Sequence, residues 1–247
     1  MRDPDLFMQL VAVDEDTAPR GDFYPFALPV VKALRQRGGI VLRTPVTFLA
    51  GDNGTGKSTL IEAIAVAAGL NPEGGSGDFD FATRASESDL GRHLRLAWST
   101  VPGNRPAFAF FLRAETYYNV ATEMERHLGH LTYNGHSPHE RSHGQSFLDV
   151  VLGRFEPRGL YLMDEPESAL SAGGQLTLLA RIMELTAQGS QFIVATHSPI
   201  LMALPGADIY DVTDMQRIGY TDTDSYQITR GFLDAPERYL RHLRPQP

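Results

Sequence analysis

Apolar positions along this chain fall into short runs bounded by glycine, proline and acidic residues, and the runs predict alternating strands and helices. Residues 6–13 (LFMQLVAV) read as a first strand, closed by an acidic turn at Asp14, Glu15 and Asp16. An aromatic, proline-rich stretch at 23–29 (FYPFALP) leads into a short helix at 30–37, then through Gly38 and Gly39 into another strand. Residues 46–50 (VTFLA) predict a buried strand, and 58–68 an apolar, alanine-rich helix. Residues 71–78 are glycine-rich and read as a flexible surface loop. Two apolar runs, 93–101 and 107–113, flank the turn PGNRP and are expected to pair antiparallel. A helical pattern at 116–128, a polar histidine-rich loop at 129–144 and a helix at 145–155 follow.

From residue 159 the pattern changes to strand (159–163), helix (174–187) and strand (191–196). This βαβ rhythm implies a parallel sheet with helices on its faces. The chain closes with a strand at 209–212, a polar segment and a helix at 235–243. Repeats, sustained heptads and breaks in composition are absent, so residues 1–247 are expected to form one domain.

Composition narrows the class. A chain of 247 residues can bury a large core, and its apolar and charged fractions are those of a globular protein. It has no apolar run of about 18 residues, and Met1 to Asp5 lack the apolar centre of a signal peptide. The absence of cysteine excludes disulfides and thiolate metal sites. A cytoplasmic protein is expected. The formal charge of −8 argues against broad, sequence-independent DNA binding. Positive charge is almost all arginine; the lysines are Lys32 and Lys57.

Lys57 lies in the one stretch whose chemistry is specific. Residues 51–58 read GDNGTGKS, matching the phosphate-binding loop G-x-x-x-x-G-K-[ST] at every fixed position, between a predicted strand and a predicted helix. Glycines let successive N–H groups curl inward onto phosphate oxygens. Asn53, Gly54, Thr55, Gly56, Lys57, Ser58 and Thr59 are the candidate nucleotide-binding residues, with the positive end of the helix dipole facing the phosphates. Lys57 would place its charge on the β- and γ-phosphates, and the Ser58 hydroxyl would ligate Mg²⁺. Downstream, the run LYLM ends in Asp164 and Glu165. Beside a phosphate loop, Asp164 suits a Mg²⁺ carboxylate and Glu165 a base that orients the attacking water. An exposed acidic strand end is the plainer alternative. Phe23, Tyr24 or Phe26 could pack against the sheet or stack on a nucleobase.

Together these residues resemble the ABC class of ATPases over most of the chain. Asp164-Glu165-Pro166 followed by Ser168-Ala169-Leu170-Ser171 looks like that class's second nucleotide motif and D-loop, and the run FIVATHSP at 192–199 like its switch-histidine strand. The resemblance implies an α/β fold of the P-loop NTPase type: a mostly parallel central sheet flanked by helices, an antiparallel β subdomain, and a short helical signature subdomain near 114–156. It implies Glu165, His197 and Lys57 as catalytic residues, with ATP and Mg²⁺ as cofactors. Arg141-Ser142-His143-Gly144-Gln145 stands where the class carries its signature, so Ser142, Gly144 and Gln145 would cap the γ-phosphate bound to a second copy. The implied active unit is a homodimer with ATP at its interface.

The chain departs from the class pattern in three places. Arg141 and His143 replace a Leu and a Gly of the signature, and Ser171 stands where the D-loop usually ends in Asp. No Gln occurs between Gln36 and Gln145, so Glu115 is the substitute for the middle-region Mg²⁺-contacting Gln. His127/His130 and His136/His139 have ligand-like spacing, but Gly129, Gly135 and Pro138 favour a solvated loop over a metal site. The phrase Thr196-His197-Ser198-Pro199-Ile200-Leu201, with Tyr24-Pro25-Phe26 and Pro236 to Leu240, resembles small stand-alone ATPases grouped with RecF- and SMC-like proteins. That likeness implies an ATP-driven dimer acting on a protein or nucleic-acid partner. The nucleotide-binding subunit of a transporter, with a separate membrane partner, is the alternative, and a non-hydrolysing nucleotide switch a third. The spacing between loop and signature leaves no room for long coiled-coil arms.

Overall fold

A computed structural model of the chain describes residues 6–75, 89–115, 117 and 143–243. In chain order the first elements are β1 (Met8–Val13), α1 (Pro29–Arg37), β2 (Ile40–Val41), β3 (Val46–Ala50), α2 (Lys57–Ala67), β4 (Leu94–Trp98) and β5 (Phe108–Arg113). After them come α3 (His143–Arg154), β6 (Gly159–Asp164), α4 (Ala172–Ala187), β7 (Gln191–Ala195), β8 (Asp208–Asp211), β9 (Gln216–Ile218), α5 (Asp224–Asp234) and α6 (Pro236–Leu243).

The strands sort into two sheets according to their apolar pattern. In β4, Leu94, Leu96 and Trp98 pack on the core while Arg95 is exposed, the alternation of a strand covered on one face. It joins an antiparallel sheet of order β2-β1-β4. β5, with Phe110, Phe111 and Leu112 all buried in succession, has no face to give to water. It joins a six-stranded sheet of order β5-β6-β7-β3-β8-β9, in which only the β8–β9 pair is antiparallel. The expected hairpin between 93–101 and 107–113 therefore does not form: β4 pairs with β1, and β5 runs parallel to β6. Nor is the start of the glycine-rich loop loose, since Gly75 exchanges backbone hydrogen bonds of 2.8 and 3.0 Å with Phe111. Residues 76–78 of that loop, the expected helix at 116–128 apart from Tyr117, and the histidine-rich loop up to residue 142 lie outside the described residues.

Alternate side chains of the parallel strands feed two cores. Leu160 and Leu162 of β6 and Ile193 of β7 join α1, α2 and the antiparallel sheet. Tyr161, Met163, Phe192 and Val194 face the other way, onto Phe147 and Val151 of α3 and Leu178 and Ile182 of α4. The carboxyl ends of β3, β6 and β7 are thereby fixed side by side, where ligands of open α/β sheets bind.

One buried side chain ties the two sheets together. The Gln191 carbonyl accepts the N–H groups of Phe7 and Met8, each at 3.0 Å, and its amide donates to the Met8 carbonyl at 2.8 Å. Gln191→Ala would strand three buried backbone groups, and we expect a loss of about 2–4 kcal/mol of stability. Urea unfolding measures this, and a midpoint equal to that of the wild type would refute it.

Candidate functional site

The loop after β3 turns back because its glycines occupy conformations that residues with a side chain rarely adopt. Gly54 and Gly56 have φ of 82° and 98°, and a Cβ on Gly56 would stand 2.6 Å from Val30 Cγ1. The loop tip, Asp52, Asn53 and Gly54, is exposed, and no side chain caps the N-terminus of α2. Thr55 steadies the tip by donating its hydroxyl to the Asp52 carbonyl at 2.7 Å. Ser58 and Thr59, in the first turn, are half-buried. Lys57 is buried and folds over the loop, donating Nζ–H to the carbonyls of Gly51 and Asp52 at 2.7 and 2.9 Å. The same ammonium lies 4.0 Å from Glu165 Oε1.

β6 delivers the carboxylates. Ser58 donates its hydroxyl to Asp164 Oδ1 at 3.0 Å, so the two expected Mg²⁺ ligands meet, and both offer the oxygen donors that Mg²⁺ prefers. Glu165 then breaks the strand: at φ 46°, ψ 51° it sits in the left-handed region, rare for a residue with a side chain. Its N–H bonds to the Ala195 carbonyl at 2.9 Å, and its half-buried carboxylate turns back toward the loop. β7 brings His197, whose exposed ring has Nδ1 3.9 Å from Glu165 Oε1. Ser198 fixes the turn that carries it, accepting the N–H groups of Ile200 and Leu201 and donating to Gln175 Oε1 at 2.6 Å. A cavity of about 490 Å³ opens between Asn53, His197 and α5, where Thr223, Asp224 and Ile228 line it.

Burial pushes the Asp164 carboxyl from an ordinary 3.8 up to about 6, while Arg113 and Ser58 pull it down. The folded protein therefore holds a proton on Asp164 that the unfolded chain releases between about pH 4 and 6. This group's contribution to stability is greatest below that window and falls as pH rises through it, by about 2–3 kcal/mol. Relative to Asp164→Asn, the wild type should lose that amount between pH 4 and pH 7 in urea titrations; parallel stability curves would remove the assignment.

A family model described as an AAA domain matches residues 32–117, and an AAA-domain model named for the AbiEii toxin of Type IV toxin–antitoxin systems matches residues 145–203. An uncharacterized ABC transporter ATP-binding protein from Haemophilus influenzae is 26% identical over 225 residues, covering 80% of this chain and 82% of that protein. The chain resembles the ABC-class P-loop ATPases. Among solved structures, one assigned as a metal-chelate type ABC transporter in an inward-facing conformation is similar, with TM-score 0.49 and 16% identity, covering 91% of this chain and 88% of that one. The SMC head domain from Thermotoga maritima has TM-score 0.42 and 16% identity, covering 83% of this chain and 94% of that one.

The remaining expected residues are placed less simply. Glu115 is exposed and does not stand alone beside Asp164. Arg113 links them, with its Nε 3.3 Å from Asp164 Oδ2, one terminal nitrogen 2.9 Å from Glu62 Oε2 and the other 3.6 Å from Glu115 Oε2. Gly144 and Gln145 lie in the first turn of α3, where a Cβ on Gly144 would meet the Ala169 carbonyl at 2.8 Å; Ser142 and Arg141 are outside the described residues. Ser171, in place of the D-loop Asp, caps α4 by accepting the Gly174 N–H at 3.2 Å. Phe26 is core, 1% exposed and packed on Phe23, His93 and Arg35, so it is not a stacking surface; Phe23 and Tyr24 are exposed. His127, His130, His136 and His139 lie outside the described residues, His143 opens α3, and the described residues hold no cluster of three metal-ligating side chains.

Sequence reasoning missed Arg113 and Glu167. An Arg ending an apolar strand and a Glu two positions after Glu165 were visible, but nothing local says that both point at the site.

Proposed function

We propose that this chain binds ATP with Mg²⁺ and hydrolyses it, working as a homodimer whose opening and closing drives a partner protein or a nucleic-acid process in the cytoplasm. One observation supports this above the others. Lys57 and Ser58 from the loop, Asp164 and Glu165 from β6, and His197 from β7 converge within hydrogen-bonding or ion-pair distances. In this reading the N–H groups of α2's first turn and Lys57 hold the phosphates. Ser58 and Asp164 hold Mg²⁺, which supplies neutralising charge on the phosphate oxygens. Glu165 orients and deprotonates the water, and His197 holds the γ-phosphate. Tyr24 or Phe23 stacks on the base. Ser142, Gly144 and Gln145 act on the nucleotide of the second copy, and residues 1–247 work as one ATPase domain.

The name of the Haemophilus relative favours a second reading, in which the chain is the ATP-binding subunit of a transporter. No helix among the described residues is long and apolar enough to cross a membrane, so that reading needs a separate membrane subunit. The test is Mg²⁺-dependent phosphate release by the purified chain, with sedimentation of Glu165→Gln in ATP and Mg²⁺. Turnover with a dimer supports the proposal. A monomer at every ATP concentration would remove the composite site, and no turnover would leave only a nucleotide switch. Capture of partners on the trapped form separates a membrane subunit from a soluble or nucleic-acid partner.

A further inference from the structure

The His197 imidazole stands between two carboxylates, and the nearer is not Glu165. Glu167 Oε1 lies 3.3 Å from His197 Nδ1 and accepts the His197 backbone N–H at 2.8 Å. Glu165 Oε1 is 3.9 Å from the same ring nitrogen and 4.0 Å from Lys57 Nζ. The three side chains are buried to very different degrees: that of Glu167 is 6% exposed, that of Glu165 30% and that of His197 48%. Glu167 Oε2 is fully buried and has no hydrogen-bond partner among the described residues. A carboxylate in that position carries a desolvation cost that backbone capping alone does not require, since a neutral acceptor would receive the His197 N–H as well.

Both ends of the Glu167–His197 contact are rigid. Glu167 belongs to the 3₁₀ turn Pro166–Ala169, entered through the left-handed Glu165 and closed by a hydrogen bond from the Leu170 N–H to the Glu167 carbonyl at 3.0 Å. His197 follows a fully buried strand and precedes the turn held by Ser198.

We propose that Glu167 is a positioning residue for the ATPase reaction: it takes the Nδ1–H of His197, fixes the ring, and turns Nε2 toward the phosphate side of the site. This rests on the reading of His197 as the γ-phosphate contact. Two consequences follow from the chemistry. With Nδ1–H committed to Glu167, Glu165 is left free for water. When Nε2 also donates to a phosphate oxygen the ring is an imidazolium, and the buried Glu167 charge supports it as a carboxylate supports a histidine in a hydrolytic triad.

The test begins on the nucleotide-free protein, so that it stands apart from whether ATP is hydrolysed. Nitrogen-15 spectra of histidine-labelled protein at pH 8, with the His197 signal assigned by its loss in His197→Asn, report which ring nitrogen carries the proton. We expect Nδ1–H in the wild type and in Glu167→Gln, which keeps an acceptor oxygen, and Nε2–H in Glu167→Ala. An Nε2–H tautomer in the wild type would overturn the proposal even if Glu167→Ala fails to fold.

In steady-state assays, Glu167→Ala should lower kcat about ten- to a hundredfold with KM for ATP changed less than about threefold. Glu167→Gln should fall between it and the wild type. A kcat unchanged in both variants would reduce Glu167 to a backbone cap. Wild-type protein with the expected tautomer but no turnover would count against the proposed function and leave the Glu167–His197 pairing intact.

Discussion

Glu165→Gln should bind ATP with near-native affinity and hydrolyse it at least a hundredfold more slowly than the wild type. The expectation follows from what the substitution keeps and removes. The left-handed backbone at Glu165, its N–H bond to Ala195 and its carbonyl bonds from the Ser168 N–H and hydroxyl do not involve the side chain, so the turn survives. Gln has the same shape but cannot accept a proton, and loss of a positioned general base costs about 10²- to 10⁴-fold. Phosphate binding by Lys57 and the first turn of α2 remains. Single-turnover hydrolysis beside equilibrium binding of a fluorescent ATP analogue separates the two effects. Hydrolysis at the wild-type rate would move the base elsewhere, and a parallel loss of binding would make Glu165 a ligand of the nucleotide.

The parts of this site that were legible in the sequence are those whose neighbours in space are also neighbours in the chain. The loop at 51–58 lies between an apolar strand and an apolar helix, Asp164 ends the buried strand β6 and Glu165 follows it, and His197 stands two residues past the buried strand β7. Arg113 was not legible because its meaning comes from register: the parallel pairing of β5 with β6 sets it opposite Asp164, 51 positions along. Glu167 is legible only once β7 is known to lie beside β6.

The hairpin expected at 93–113 failed for a similar reason. Two apolar runs joined by a turn favour local pairing, but β4 alternates and β5 does not, so they belong to different sheets. α5 was read as a polar segment because its few apolar residues, among them Ile228, Phe232 and Leu233, stay exposed and no buried stripe marks it. It nonetheless walls the cavity beside Asn53 and His197.

Lys57→Ala should abolish measurable ATP binding, and Lys57→Arg should rescue it poorly. The ammonium now holds two loop carbonyls at 2.7 and 2.9 Å with its side chain 3% exposed, so the loop is closed around a compact, three-donor charge. Alanine removes the charge-assisted bonds to phosphate, a loss of about 3 kcal/mol or more, and hence over a hundredfold in affinity. Arginine is the common cation of this chain, whose lysines are only Lys32 and Lys57. Retention of lysine here therefore reflects shape rather than composition: the planar guanidinium is larger and cannot replace an ammonium between Gly51, Asp52 and Glu165 without opening the loop. Calorimetric titration with ATP and Mg²⁺, beside urea unfolding to confirm that both variants are folded, decides the point. Arginine binding ATP as tightly as lysine would mean that the site reads charge alone, and alanine binding within tenfold of the wild type would place the phosphates away from this loop.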